Sequence, residues 1–179
     1  MKSASPVAKV LRLADIATDA STSLLSRYGL SLQWVAPCTP IPGSYWGDDE
    51  AGIIGNLVHA RTDTPVHSLL HEACHLIVLP PKKRYQVHTD ASDSIEEEDA
   101  ACYLQIVLAD ALPGVGRLRM MADMDTWGYS FRLGSARAWF EHDAEDARHY
   151  LIQHQLLDRA GCAIMPTDQA CYPDTSSAP

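Results

Sequence analysis

Apolar and polar positions along the chain predict a mixed domain that becomes helical after its first third. Val7, Val10, Leu11 and Ala14 follow the i, i+3, i+4, i+7 spacing of one helix face, and Leu24 and Leu25 extend the apolar signal toward a stop near Gly29. LSLQWVA, residues 30 to 36, alternates as a strand does, and the turn-rich CTPIPGSYWG follows it. AGIIGNLVHAR, residues 51 to 61, reads as a second strand whose glycines allow a bulge or a close backbone approach. Helical patterns dominate from Pro65 onward. WGYSFRLGSARAWFEHDAEDARHYLIQHQLLDRAG predicts two helices, the second capped by Asp143 and ended by Gly161. The expected organisation is one domain over residues 1 to 161. The remainder, 162 to 179, is rich in Pro, Ser, Thr and Asp and is expected to be loosely ordered.

The best-bounded element lies around HSLLHEACH, residues 67 to 75. Thr64 is suited to cap its N-terminus, Pro65 to the first helical position, and Pro80-Pro81 stops it after Leu79. At about 100° per residue, Val66, Leu69, Leu70, Ala73, Leu76 and Ile77 gather on one side. His67, Ser68, His71, Glu72 and His75 gather on the other, so the polar face consists of ligand-type side chains.

His71-Glu72-Ala73-Cys74-His75 matches the H-E-x-x-H pattern. Residues i and i+4 lie one turn apart on one face, so the two imidazoles can reach a single metal ion. Glu72, beside them, can take a proton from a water activated by that metal. A third protein ligand is then needed. The extended metzincin pattern would put glycine at 78 and histidine at 81, where Val78 and Pro81 stand, and is excluded.

SDSIEEEDAACYLQIVLADALPG predicts a second long helix, closed by Pro113-Gly114. Ser94 and Glu97 form a capping-box pair, which gives Glu97 a task at the helix start. Glu98 shares a stripe with Cys102, Gln105 and Ala109. Gln105 is the most polar residue in the run from Ala100 to Ala109, and a buried polar group needs partners. Glu98 is therefore the favoured third ligand, with Glu97 in reserve and His88, thirteen residues after His75, as the imidazole alternative. His67 falls in the first turn and is placed at the rim. His59, His142, His149 and His154 have no ligand spacing.

Composition narrows the function classes. The 179 residues are 46% hydrophobic and 21% charged, enough for one sizeable core. With 14 Lys and Arg against 23 Asp and Glu, the net charge of -9 leaves no broad basic surface for nucleic acid. Lys82-Lys83-Arg84 is read as a solvated loop. Neither a signal peptide nor a membrane span is visible. Five cysteines at irregular spacings, with no CxxC pair, suggest a reducing cytoplasm rather than a disulfide framework.

HEACH, followed on a second helix by EDAAC, resembles the gluzincin group of zinc metallopeptidases, as a small bacterial-type zincin domain. The likeness covers Ala51 to about Asp110. It implies an α+β, zincin-like fold, mostly helical, with a small antiparallel sheet beside the HExxH helix. It further implies one zinc ion held by His71, His75 and Glu98, with Glu72 as general base. An edge strand would run along the cleft, where Gly55 to His59 would fit, and a peptide or protein substrate would bind by adding a strand to it. The family often has an aspartate four residues after the ligating glutamate, orienting a zinc histidine; Cys102 stands there. Tyr129, Arg132, Arg137 and His142 are chemically able to stabilise an oxyanion. The alternative function is a non-catalytic zinc-binding regulatory or protein-interaction module, and a metal-free helical domain is the third reading.

Overall fold

The computed structural model describes residues 9–92 and 94–166. Val7 and the tail beyond residue 166 lie outside the described residues. The expected helix through Val10, Leu11 and Ala14 does not form. The Leu11 N–H is donated to Asp123 Oδ2 (2.9 Å), Leu13 N–H to Thr64 O (2.9 Å), and Leu11 O accepts from Val66 N–H (2.9 Å). With those groups taken by distant chain, residues 10–12 stay extended and only a 3-10 turn, Leu13–Asp15, remains. Helix α1 (Thr18–Ser26) buries Leu24 and Leu25, and Gly29 at φ +70° follows it into β1 (Ser31–Trp34).

Residues 51–61 are a hairpin rather than one strand. β2 (Gly52–Ile54) turns at Gly55, φ +60°, and Asn56 into β3 (Leu57–Ala60). The strand order is β1-β3-β2. β3 pairs antiparallel with β2 but parallel with β1, so the sheet is mixed and not antiparallel as expected. The cause is the long segment between β1 and β2, which carries the chain to the far edge before the hairpin returns β3 to the middle. The Gly55–His59 stretch is thus central and cannot accept a substrate strand. The outer side of β2 is also in use: Ile53 N–H reaches Gly43 O (3.1 Å), and Ile53 O accepts Thr89 N–H (3.0 Å).

The close approach suggested by the glycines occurs at Gly52, where a Cβ would lie 2.2 Å from Pro42 O and 2.3 Å from Ser44 N. Backbone atoms cannot yield as a flexible side chain can. Gly52→Ala is expected to destabilise the protein by about 1–3 kcal/mol, measured as a lower denaturation midpoint at unchanged slope.

α2 spans Val66–Val78, with Pro65 rather than Thr64 as its N-cap residue. Thr64 Oγ1 instead accepts Arg61 N–H (3.0 Å). Val66, Leu69, Leu70, Ala73 and Leu76 are wholly inaccessible; the larger ones each contribute roughly 1.5–3 kcal/mol by burial. A short α3 (Pro81–Arg84) follows, and Arg84 is not solvated but buried, its guanidinium donating to Tyr28 O (2.8 Å). α4 (Ile95–Leu108) is capped by Ser94, whose Oγ accepts Glu97 N–H (3.2 Å), and continues as a 3-10 turn over Ala109–Ala111. α4 packs along α2 and against α5 (Gly116–Trp127) and α7 (Glu145–Gln153). Between these two lies α6 (Ala136–His142).

The second C-terminal helix has Ala144 as its N-cap residue, because Asp143 is engaged by the Arg132 guanidinium. It ends at Gln153, not Gly161: Gln155 adopts φ +57° and folds the chain back so that Leu156 N–H meets Leu151 O (2.9 Å). The protein is therefore α+β, with seven α-helices and a three-stranded mixed sheet among the described residues. No helix there is long and apolar enough to cross a membrane. Cys38, Cys74, Cys102 and Cys162 are free thiols.

Candidate metal centre

Although it carries polar groups, the second face of α2 is largely covered. His67, Ser68 and His75 are buried, while His71 and Glu72 are half-buried. This face forms the floor of a cleft of ≈ 580 Å³, whose lining includes Glu50, Trp127, Tyr129 and Glu98. His67 is a buried wall residue and not the rim residue expected.

One turn of α2 separates His71 from His75, and their Nε2 atoms lie 3.0 Å apart. The first turn of α4 brings Glu98 to them: Oε1 is 3.4 Å from His71 Nε2 and Oε2 is 3.3 Å from His75 Nε2. Among the described residues these three form the group whose ligand atoms lie within 4.8 Å of one another. Glu97 is not part of it; its backbone N–H is the one that Ser94 Oγ accepts at the start of α4. His88 does not either; it is exposed, bonded through Nδ1 to Thr89 Oγ1 (2.8 Å), and its backbone bridges Ile54.

The far nitrogen of each imidazole has its own partner. Gln105 Oε1 lies 2.8 Å from His71 Nδ1. The amide of Gln105 is oriented by its Nε2, directed at His67 O (3.4 Å) and Met120 Sδ (3.7 Å), so the oxygen faces the histidine. An oxygen acceptor there puts the proton on Nδ1 and leaves a lone pair on Nε2. Ser92 Oγ lies 2.8 Å from His75 Nδ1, where the hydroxyl can accept a proton held on that nitrogen. Burial, followed by the influence of His71, pushes His75 down to about 3, which keeps its ring neutral. Two imidazole lone pairs and a carboxylate thus converge on one point.

Such a set fits a divalent cation. A tetrahedral ion with bonds of about 2.0–2.1 Å needs donor-to-donor edges of about 3.3–3.4 Å; the two imidazole nitrogens lie 3.0 Å apart, and each has a Glu98 oxygen, a different one for each ring, at 3.3–3.4 Å. Three protein donors is the number that catalytic zinc sites use, where structural sites use four.

Comparison with known protein families, with characterised proteins and with solved structures finds no match to this chain. Glu72 adjoins His71 and lines the cleft. Burial, then the carboxylates of Glu50, Glu98 and Asp90, raises it to about 8; a dication held by its neighbours would favour the ionised form instead. Cys102, where the resemblance implied an aspartate, directs its thiol at Glu98 Oε1 (3.8 Å). The orienting roles are taken by Gln105 and Ser92.

Of the four residues considered for oxyanion stabilisation, Tyr129 borders the cleft, its ring edge-on to His71 with centroids 5.6 Å apart. Arg132 is paired with Asp143, Arg137 with Glu141, and the exposed His142 lies beside Glu141. Ser92 and Glu50 carried no sequence signal, because each sits in a loop without periodicity. Gln105 was marked by its polarity within an apolar run.

The Gln105 bond is directly testable. Gln105→Leu is expected to weaken metal binding about 10–100-fold, as loss of an orienting partner does, whereas Gln105→Glu retains the acceptor. Competition with a chromogenic zinc chelator reads the difference.

Proposed function

We propose that this protein is a zinc-dependent metallopeptidase. The observation that carries the reading is the convergence of His71, His75 and Glu98 on one point, with Glu72 adjacent on the same helix and a cleft open above them. Zinc bound there supplies Lewis acidity, polarising a carbonyl and lowering the pKa of water toward neutrality. His71 and His75 would hold the ion through Nε2 together with the Glu98 carboxylate, with Gln105 fixing the tautomer of His71 and Ser92 orienting His75. Glu72 takes the proton from the attacking water and passes it to the leaving amine. Tyr129 is the hydroxyl donor available to the developing oxyanion.

Substrate access is from the cleft rather than by strand addition, since β3 is central and the outer groups of β2 are already paired. The reading is tested by elemental mass spectrometry on untagged protein, then by digestion of a peptide library with and without chelator. One zinc per chain and chelator-sensitive cleavage are expected. Stoichiometric metal without cleavage would favour the non-catalytic zinc-binding module, and folded protein that takes up no zinc would remove both readings.

A further inference from the structure

The charge of the cleft is one-sided. Glu50, Glu72, Asp90 and Glu98 line it, and among the described residues no lysine or arginine does. The nearby Arg12 is committed to Asp49 and to Asp63 O. Four carboxylates against one dication leave two negative charges uncompensated. Glu98 and Glu72 belong to the centre and its chemistry, so the surplus falls on Glu50 and Asp90.

Glu50 is the better placed of the two. It is half-buried, and its Oε1 accepts the Trp127 indole N–H at 2.9 Å. It has no lysine or arginine partner among the described residues, and burial raises its pKa ahead of the opposing Trp127 bond. Trp127 also packs on His67 (centroids 4.9 Å), and Tyr129 meets His67 edge-on at 5.6 Å. His67 supplies an independent sign of a ligand. It is 1% exposed, lines the cleft, and its Nε2 has no hydrogen-bond partner. The Tyr129 hydroxyl lies 3.5 Å from Nδ1; in the tautomer that carries its proton on Nδ1, Nε2 keeps a lone pair for an entering donor. At the mouth, Tyr45 and Trp46 are exposed and stacked edge-to-face at 5.0 Å, a surface over which a cation is favoured.

We infer that the wall formed by Glu50, Trp127 and His67 is a subsite for a positively charged alkylammonium group of the substrate. Its carboxylate meets the charge, the aromatic faces cover the alkyl stem, and His67 Nε2 accepts an N–H. The ammonium can come from a lysine side chain or from a free peptide N-terminus. This inference deepens the peptidase reading by naming the substrate group, but binding can be measured without turnover.

Calorimetric titration of the full chain with three amides separates the cases. Nα-acetyl-lysinamide carries only the side-chain ammonium, leucinamide only the α-ammonium, and Nα-acetyl-leucinamide neither. At least one cationic amide is expected to bind tenfold or more tightly than the neutral one, and Glu50→Gln to remove that preference. Binding through the metal alone would survive Glu50→Gln and so would overturn the subsite. Equal affinities, or no binding by any of the three, would overturn it as well. Preference without peptide cleavage keeps the subsite and sinks the peptidase; cleavage without preference does the reverse.

Discussion

Alanine at His71, His75 or Glu98 is expected to abolish stoichiometric metal binding, whereas alanine at Glu97 or His88 is expected to leave it at the wild-type level. One ligand atom from each of the three residues lies within 4.8 Å of the other two, so each residue supplies one corner of the same site. Losing a corner costs more than losing an orienting group, hence more than about 100-fold in affinity. Elemental analysis after dialysis reads this directly. The same coupling appears in stability. A ligand at 1,000 times its Kd stabilises the native state by about 4 kcal/mol, which in a domain of this size corresponds to a Tm shift of about 8–16 °C. Chelator should lower the wild-type Tm by that amount and leave the three ligand variants unmoved. A Tm indifferent to both zinc and chelator in the wild type would contradict a metal centre built from these residues.

The halves of this site were unequally legible in the sequence. The two histidines and Glu72 share one helix, and a helix converts spacing into facing without help from tertiary structure. Glu98 needed a second inference, from the capping pair and from Gln105; the cap at Ser94 and the hydrogen bond of Gln105 to His71 supply its physical basis. Ser92 and Glu50 were invisible because loops bring them in, and loop paths are set by what they pack against. The sheet failed for a related reason. Periodicity marked apolar strands but held no information on which edge β2 would occupy, so the parallel pairing of β1 with β3 and the central place of Gly55–His59 were out of reach. At the N-terminus, a helical pattern lost to Asp123 and Thr64, which capture the backbone donors of Leu11 and Leu13. Gln155 shows the same limit at α7, where a left-handed residue ends the helix before the glycine that seemed suited to do so.

Glu72→Gln separates catalysis from architecture. The amide has the volume of the carboxylate and leaves His71 and His75 in place, so one metal per chain is expected to be retained. Only proton transfer is removed, and peptide hydrolysis should fall by about 10²–10⁴-fold in kcat. Stability should move the other way. In the metal-free protein Glu72 is a carboxylate raised by burial and by Glu50, Glu98 and Asp90, so replacing it by a neutral amide relieves repulsion at pH values where it would ionise. A chelated Glu72→Gln protein should therefore melt no lower than chelated wild type at alkaline pH, despite its loss of activity. A group that gives up stability for chemistry is typical of an active site. Undiminished hydrolysis in a variant with full metal content would take the general-base role from Glu72, and with it the mechanism. Inactivity with a lowered Tm would instead mark Glu72 as a structural contact. The two measurements together assign the residue, since neither misfolding nor metal loss reproduces an inactive, fully metallated and undamaged protein.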